Sequence, residues 1–348
     1  MSLRRMVKGY RLKNHADALI FQPAICARAS QIYLRWRKFV NKVCKFVPAL
    51  IASWPQNSQV EQEWRIKMQL GIRLHDIRKA PLEERLQIAQ EQGFLCGHLA
   101  LSKVITGHSV SDSALTPGFA CYLRNLFAKN KLDIAVLGCY LNLANPNVES
   151  LRKNQARYLA HIRFASLLGA GVVGTETGAV NEAYQYEERN HSEEALQIFI
   201  ENVKPVVKYA EKMGVIFAIE PVFKHIVCNP TRARQVLDEI ASPNLQIIFD
   251  PVNLLDISNY QNREQIIHEA ISLLGKDIAV VHIKDFRVEN NELVSVAAGT
   301  GEMDYDEIIR FIKKEKPYVH VTLENTNPEN AVGAREYIQG LWDACTVE

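Results

Sequence analysis

From Met68 onward, apolar residues gather into short runs separated by longer stretches of mixed polarity. Eight such runs, near 68 to 74, 94 to 100, 132 to 138, 171 to 176, 215 to 220, 244 to 250, 278 to 284 and 318 to 324, are rich in Val, Ile, Leu and Phe and show little alternation. A strand covered on both faces reads this way, whereas a strand with one wet face alternates. The intervening segments place apolar residues three and four apart, as in PLEERLQIAQEQG, SEEALQIFIENVKPVVKYAEKMG and DYDEIIRFIKKEK, which is the spacing of a helix with one dry side. Several end in Gly or a basic residue, as helix C-termini prefer. Strands and helices in strict alternation make a parallel sheet, and eight such units close on themselves. The pattern predicts an α/β chain folded as one (βα)8 TIM barrel. An open doubly wound sheet is the competing architecture, but no GxGxxG turn follows the first strand.

Length agrees with one barrel, since the chain has 348 residues and such barrels run to about 250 before insertions. Charge divides it. The formal net charge is only +2, yet residues 1–67 hold 13 Lys or Arg against 3 Asp or Glu, leaving 28 basic and 36 acidic residues for 68–348. That basic, aromatic leader is read as an N-terminal extension outside the folded unit. A targeting or membrane-surface segment and a basic arm for nucleic acid or a partner are the competing readings. The barrel itself is assigned to 68–348. Seven cysteines form no CxxC pair, which fits neither a disulfide framework nor a zinc ribbon and suits a reducing cytoplasm. No long uncharged apolar run suggests a membrane span.

Candidate chemistry sits at the ends of the strands. Glu220, Asp250, His282 and Glu324 close GVIFAIE, LQIIFD, IAVVHIKD and YVHVTLE. The carboxyl ends of barrel strands line the active-site mouth. Three carboxylates and an imidazole brought together there would repel one another unless a cation joined them, and such an oxygen-rich set suits manganese, with magnesium and cobalt as alternatives. Separate surface ion pairs are the plainer account of the four. Other strand ends are polar too: His75 and Asp76 at the first, His98 at the second, Tyr140 and Asn142 after the third, and Glu176 at the fourth. Each of these is equally explained by a satisfied structural hydrogen bond.

In the order Glu, Asp, His within HIKD, then Glu, the chain from about Met68 to Glu348 resembles the xylose isomerase-like barrels, which include sugar epimerases, isomerases, a dehydratase and an AP endonuclease branch. The resemblance implies one divalent cation held by Glu220, Asp250, His282 and Glu324, with Glu220 and Glu324 exchanging the substrate proton. The substrate would be a small keto sugar or sugar phosphate, isomerised or epimerised after loss of a proton beside its carbonyl. His98, Glu176 and Asn253, with Asp285 and Arg287 on the strand-seven loop, are the candidates for substrate contact.

One departure stands out. Many relatives carry Asp-x-x-His after strand six, whereas this chain reads DPVN and puts Asn253 where the imidazole would be. No His lies between Phe286 and Val319 either. With an acidic barrel that would repel a phosphate backbone, these absences weigh against a multi-zinc nuclease and against any nucleic-acid partner. A dehydratase or lyase using the same cation, and a barrel that binds sugar without turning it over, remain as other readings. The loop VAAGTGEMDYDEI either cradles a phosphate on the N–H groups around Gly299 and Gly301 or is a tight connection capped at Asp304. A homo-oligomer is compatible with the sequence.

Overall fold

The computed structural model describes residues 67–347; the readings placed on the leader therefore lie outside the described residues. Eight parallel strands form a closed barrel. They are β1 (Gln69–Arg73), β2 (Cys96–Leu99), β3 (Asp133–Gly138), β4 (Val172–Glu176), β5 (Ile216–Glu220), β6 (Leu245–Phe249), β7 (Ile278–Ile283) and, after an inserted hairpin of β8 (Asp285–Glu289) and β9 (Glu292–Val296), β10 (His320–Leu323). β10 closes the ring by pairing with β7 on one side and β1 on the other. The expected (βα)8 barrel is the observed fold, and every predicted strand is present.

Helices α1 (Leu82–Glu91), α2 (Leu101–Val104), α3 (Pro117–Lys129), α4 (Val148–Leu168), α5 (Glu193–Met213), α6 (Pro230–Ile240), α7 (Arg263–Leu274), α8 (Asp306–Glu315) and α9 (Ala331–Ala344) connect the strands. Local chemistry fixes their ends. Thr116, Asn147, Ser192 and Asn229 each accept a backbone N–H of the first turn of α3, α4, α5 and α6, and Pro117 and Pro230 open α3 and α6, where no N–H is needed. Gly169 and Gly214 end α4 and α5 in the left-handed conformation.

Most of the core lies between the barrel and its helices, including Phe199, Val203 and Val207 of α5 and Phe217 and Ile219 of β5. A second, small cluster of Cys96, Ala135, Val136, Val172, Ala218, Ile248 and Val280 gathers on the strands themselves. Above this plug the inner wall is deliberately small: a Cβ on Gly174 would come within 2.7 Å of Ile248 and Val136, and one on Gly138 within 2.6 Å of His98 Nε2. The room so left is filled by the polar side chains at the strand ends. Among the described residues, no helix is long and apolar enough to cross a membrane.

Candidate active site

Residues two apart on a strand share a face. Ala218, Ile248 and Val280 pack in one cluster, so Glu220, Asp250 and His282, two residues further along β5, β6 and β7, share their inward direction, and Lys284 continues it. The four strand-end residues singled out in the sequence do converge. His282 Nδ1 lies 3.2 Å from Glu324 Oε1 and 3.4 Å from Glu220 Oε2. Ligand atoms of Glu220, Asp250 and His282 are within 4.8 Å of one another, and so are those of His98, His282 and Glu324. All five residues are buried.

The donor set fits a divalent cation. His282 is wholly buried, yet neither ring nitrogen has a hydrogen-bond partner. Buried polar atoms are nearly always satisfied, so an imidazole with two bare nitrogens, one of them facing two carboxylates, is suited to ligation. Burial opposes charge on this ring, but the carboxylates of Glu324 and Glu220 outweigh it and push the pKa up to about 9. Asp250 is held in place by its other oxygen, which accepts the N–H groups of Val252 and Asn253.

Three basic side chains frame the acids. Lys284 Nζ is buried 2.7 Å from Asp250 Oδ2 and 3.3 Å from Glu324 Oε2. Although burial disfavours the ammonium, Asp250, Glu324 and Glu220 hold its pKa above the usual lysine value. Arg73 grips both oxygens of Asp76 through Nε and lies 3.4 Å from Glu324 Oε2. Burial would raise the Glu324 carboxyl, but His282, Lys284 and Arg73 keep it well below the ordinary carboxylate range. Lys103, exposed on α2, stands at the edge of the same cavity, whose volume is about 280 Å³. The sequence pattern alone does not single out Lys284, Arg73 or Lys103; for Lys284 the signal was its two-residue offset from His282.

The candidates for substrate contact separate into two groups. His98 is buried at a register shift between β2 and β3, with its ring stacked on those of Tyr140 and His282. Such irregularities re-aim a side chain. Burial and the neighbouring positive charges keep its imidazole neutral, well below the ordinary histidine pKa. Glu176 sits beside Glu220 in the β4–β5 register and accepts a hydrogen bond from Tyr184 at 3.2 Å. Burial first, then the Glu220 charge, push its carboxyl up to about 7. Tyr184 has a left-handed backbone (φ 56°), and its ring stacks on His225. Asn253 donates its amide to Glu220 Oε1 at 2.5 Å. His98, Glu176 and Asn253 all line the cavity.

Asp285 and Arg287 do not join them. Asp285 follows Lys284 directly, so the strand alternation turns it away from the barrel interior. Its carboxylate accepts four backbone N–H groups, those of Phe286, Gly299, Gly301 and Met303. The same bonds answer the question of the glycine loop: Asp285 occupies the place a phosphate would take on the N–H groups of Gly299 and Gly301. Arg287 is exposed on the hairpin and donates to the carbonyl of Thr300. Asn142, too, is structural, with its side chain tying the loop after β3 to Ala179 and Asn181 after β4.

Comparison with known proteins places this geometry in context. The sequence pattern of the xylose isomerase-like TIM barrel matches residues 86–341. No curated protein matches the chain. Among solved structures, a D-tagatose 3-epimerase-like protein is 21% identical with a TM-score of 0.63, over 79% of this chain and 97% of that one. A 3-keto-D-glucoside 4-epimerase from E. coli is 14% identical with a TM-score of 0.59, over 79% and 100%. The IolI protein, crystallised with a zinc atom, is 15% identical with a TM-score of 0.64, over 81% and 100%. At such identities the structural likeness concerns the fold.

Proposed function

Because the chain belongs to the xylose isomerase-like TIM barrel family, we propose that it is a divalent-metal-dependent isomerase or epimerase of a small keto sugar or sugar phosphate. The observation that carries this reading is the convergence of Glu220, Asp250, His282 and Glu324 around a buried imidazole with no hydrogen-bond partner. These four would hold the cation. When bound, it would supply positive charge to substrate oxygens as a proton leaves the carbon beside the carbonyl. The zinc in IolI, the 3-keto-D-glucoside 4-epimerase and the D-tagatose 3-epimerase-like neighbour support the same reading.

The protein's own groups then divide the work. Glu220 and Glu324 approach from β5 and β10, and a pair of carboxylates on separate strands can take a proton from one face of a carbon and return one to the other. Glu324 faces His282, Lys284 and Arg73, whereas Glu220 faces His282 through Oε2 and carries the neutral amide of Asn253 on Oε1. The two act as a pair, one removing the proton and the other returning it. Lys284 and Arg73 fix the outer oxygen of Glu324 and leave Oε1 facing the centre. His98 and Glu176 offer hydrogen bonds to substrate hydroxyls from β2 and β4.

A dehydratase is the second reading, and Glu176 favours it. A carboxyl of near-neutral pKa beside the cavity suits protonation of a leaving hydroxyl. Product analysis separates the two. The test of the main reading is wash-in of solvent deuterium into a panel of keto sugars by manganese-loaded protein. Glu220→Gln is expected to cut exchange by about 10²-fold or more with the fold intact, and exchange retained by that variant would overturn the assignment.

A further inference from the structure

We propose that the substrate carries an anionic group, a phosphate or a carboxylate, and that the β1–β2 edge of the barrel mouth receives it through Lys103 and His75. This rests on the reading of the site given above and specifies its substrate class. The cavity is lined asymmetrically. Arg73 and His75 reach it from β1 and the turn after it, with Glu324 beside Arg73, and Lys103 reaches it from α2, whereas Glu176 and Glu220 stand on β4 and β5 and Lys284 follows β7. Arg73 is paired with Asp76 and Glu324, and Lys284 with Asp250 and Glu324, so Lys103 is the lining cation that no carboxylate neutralises among the described residues, and an anion entering the mouth is drawn to its edge.

Two features of the β1–β2 edge are unexplained by the fold. Lys103 makes no ion pair or side-chain hydrogen bond among the described residues, and it borders the cavity from α2, whose Leu101 and Val104 are buried. His75 Nδ1 is buried without a partner. Burial, Arg73 and Lys103 lower its pKa to about 4, so it stands there as a neutral ring in a positive field. A phosphate or carboxylate oxygen would satisfy both groups.

The opposite location is closed. TIM barrels frequently hold phosphate on the loops after the seventh and eighth strands. Here the N–H groups of Gly299, Gly301 and Met303 that could serve are bonded to Asp285. The substrate is thereby oriented across the mouth. Its charged end lies at β1–β2, its reacting carbon lies over Glu220 and Glu324, and its far hydroxyls lie against Glu176.

The test uses the full chain loaded with manganese, titrated with D-fructose, D-fructose 6-phosphate, D-fructose 1-phosphate and 5-keto-D-gluconate, and separately with inorganic phosphate and acetate. At least one anionic sugar is expected to bind tenfold or more tightly than D-fructose, and the phosphate and carboxylate arms identify which anion is preferred. Lys103→Glu should bring that ratio near one, Lys103→Arg should retain it, and the matching inorganic or organic anion should compete in the wild type but not in Lys103→Glu. Thermal midpoint and bound manganese measured on each variant exclude a folding defect. Equal affinity for neutral and anionic sugars with no competition by either small anion, or a preference that survives Lys103→Glu, overturns the proposal. Deuterium wash-in keeps the two claims apart. Exchange without anion preference removes the anion site and leaves the isomerase; anion preference without exchange does the reverse.

Discussion

Replacing Lys284 by methionine removes the ammonium between Asp250 and Glu324 while keeping most of the side-chain volume. In the cation-free protein buried Asp250 then loses the ammonium 2.7 Å from its Oδ2, while Glu324 keeps His282 and Arg73. Removing one partner of a buried ion pair destabilises by about 3 to 5 kcal/mol, because the remaining charge stays desolvated. At about 2 to 4 °C per kcal/mol for a large domain, the chelator-treated variant should melt on the order of 10 °C below the wild type at neutral pH. The pH dependence has a definite sign. Burial already pushes the folded Asp250 carboxyl up to about 6 against the pull of Lys284, so without Lys284 it binds its proton still more tightly than the unfolded group, and the deficit is largest above that raised pKa and shrinks as pH falls toward about 4. A divalent cation restores the missing positive charge, so manganese should raise the midpoint of Lys284→Met more than that of the wild type. Circular dichroism melts of both proteins, with chelator and with manganese, at two pH values, read all three effects. A chelated midpoint within about 2 °C of wild type at neutral pH, or a deficit that grows on acidification, would refute the view that Lys284 is the internal counter-ion of this site.

Three further outcomes follow from the same geometry. As the proposed ligand, His282 would bind a cation through a neutral ring, but against burial its carboxylate neighbours push its pKa up to about 9 without one, so loading at pH 7.5 should release close to one proton and affinity should climb with pH up to that value; calorimetry in buffers of different ionisation enthalpy measures it, and zero release contradicts it. Asp285→Ala leaves four backbone N–H groups unpaired and should cost roughly 3 kcal/mol or more, with the amides of Gly301 and Met303 losing protection from hydrogen exchange; unchanged protection would mean the loop is held by something else. Gly138→Ala puts a methyl 2.6 Å from His98 Nε2 and 2.8 Å from the Tyr140 ring, so cation affinity and turnover should fall by more than the thermal midpoint suggests, and an unaltered cation affinity would show that the stack yields freely.

What was legible in the sequence, and what was not, follows from the period of a strand. Barrel strands are covered on both faces, so their apolar runs announce them without alternation, and all eight could be located. Polar residues ending such runs are conspicuous for the same reason, which is why Glu220, Asp250, His282 and Glu324 stood out. Choosing one polar residue per strand end, however, discards the parity of two that decides which side chains share the interior. Counting from His282 in HIKD, parity turns Lys284 inward and Asp285 outward, so Lys284 rather than Asp285 belongs to the site; on β1 it pairs Arg73 with His75. The hairpin after β7 carried its own signal as well. Asn290 and Asn291, at φ 51° and 63° between alternating residues, form the kind of two-residue turn that favours asparagine. Tyr184 had no such signal. It reaches Glu176 from an irregular stretch through a left-handed backbone, and no periodicity in the sequence specifies that approach. The residues proposed to ligate and to move protons are thus set by strand register and can be read from parity, whereas a contact such as that of Tyr184 on Glu176 depends on loop geometry that only the folded structure reveals.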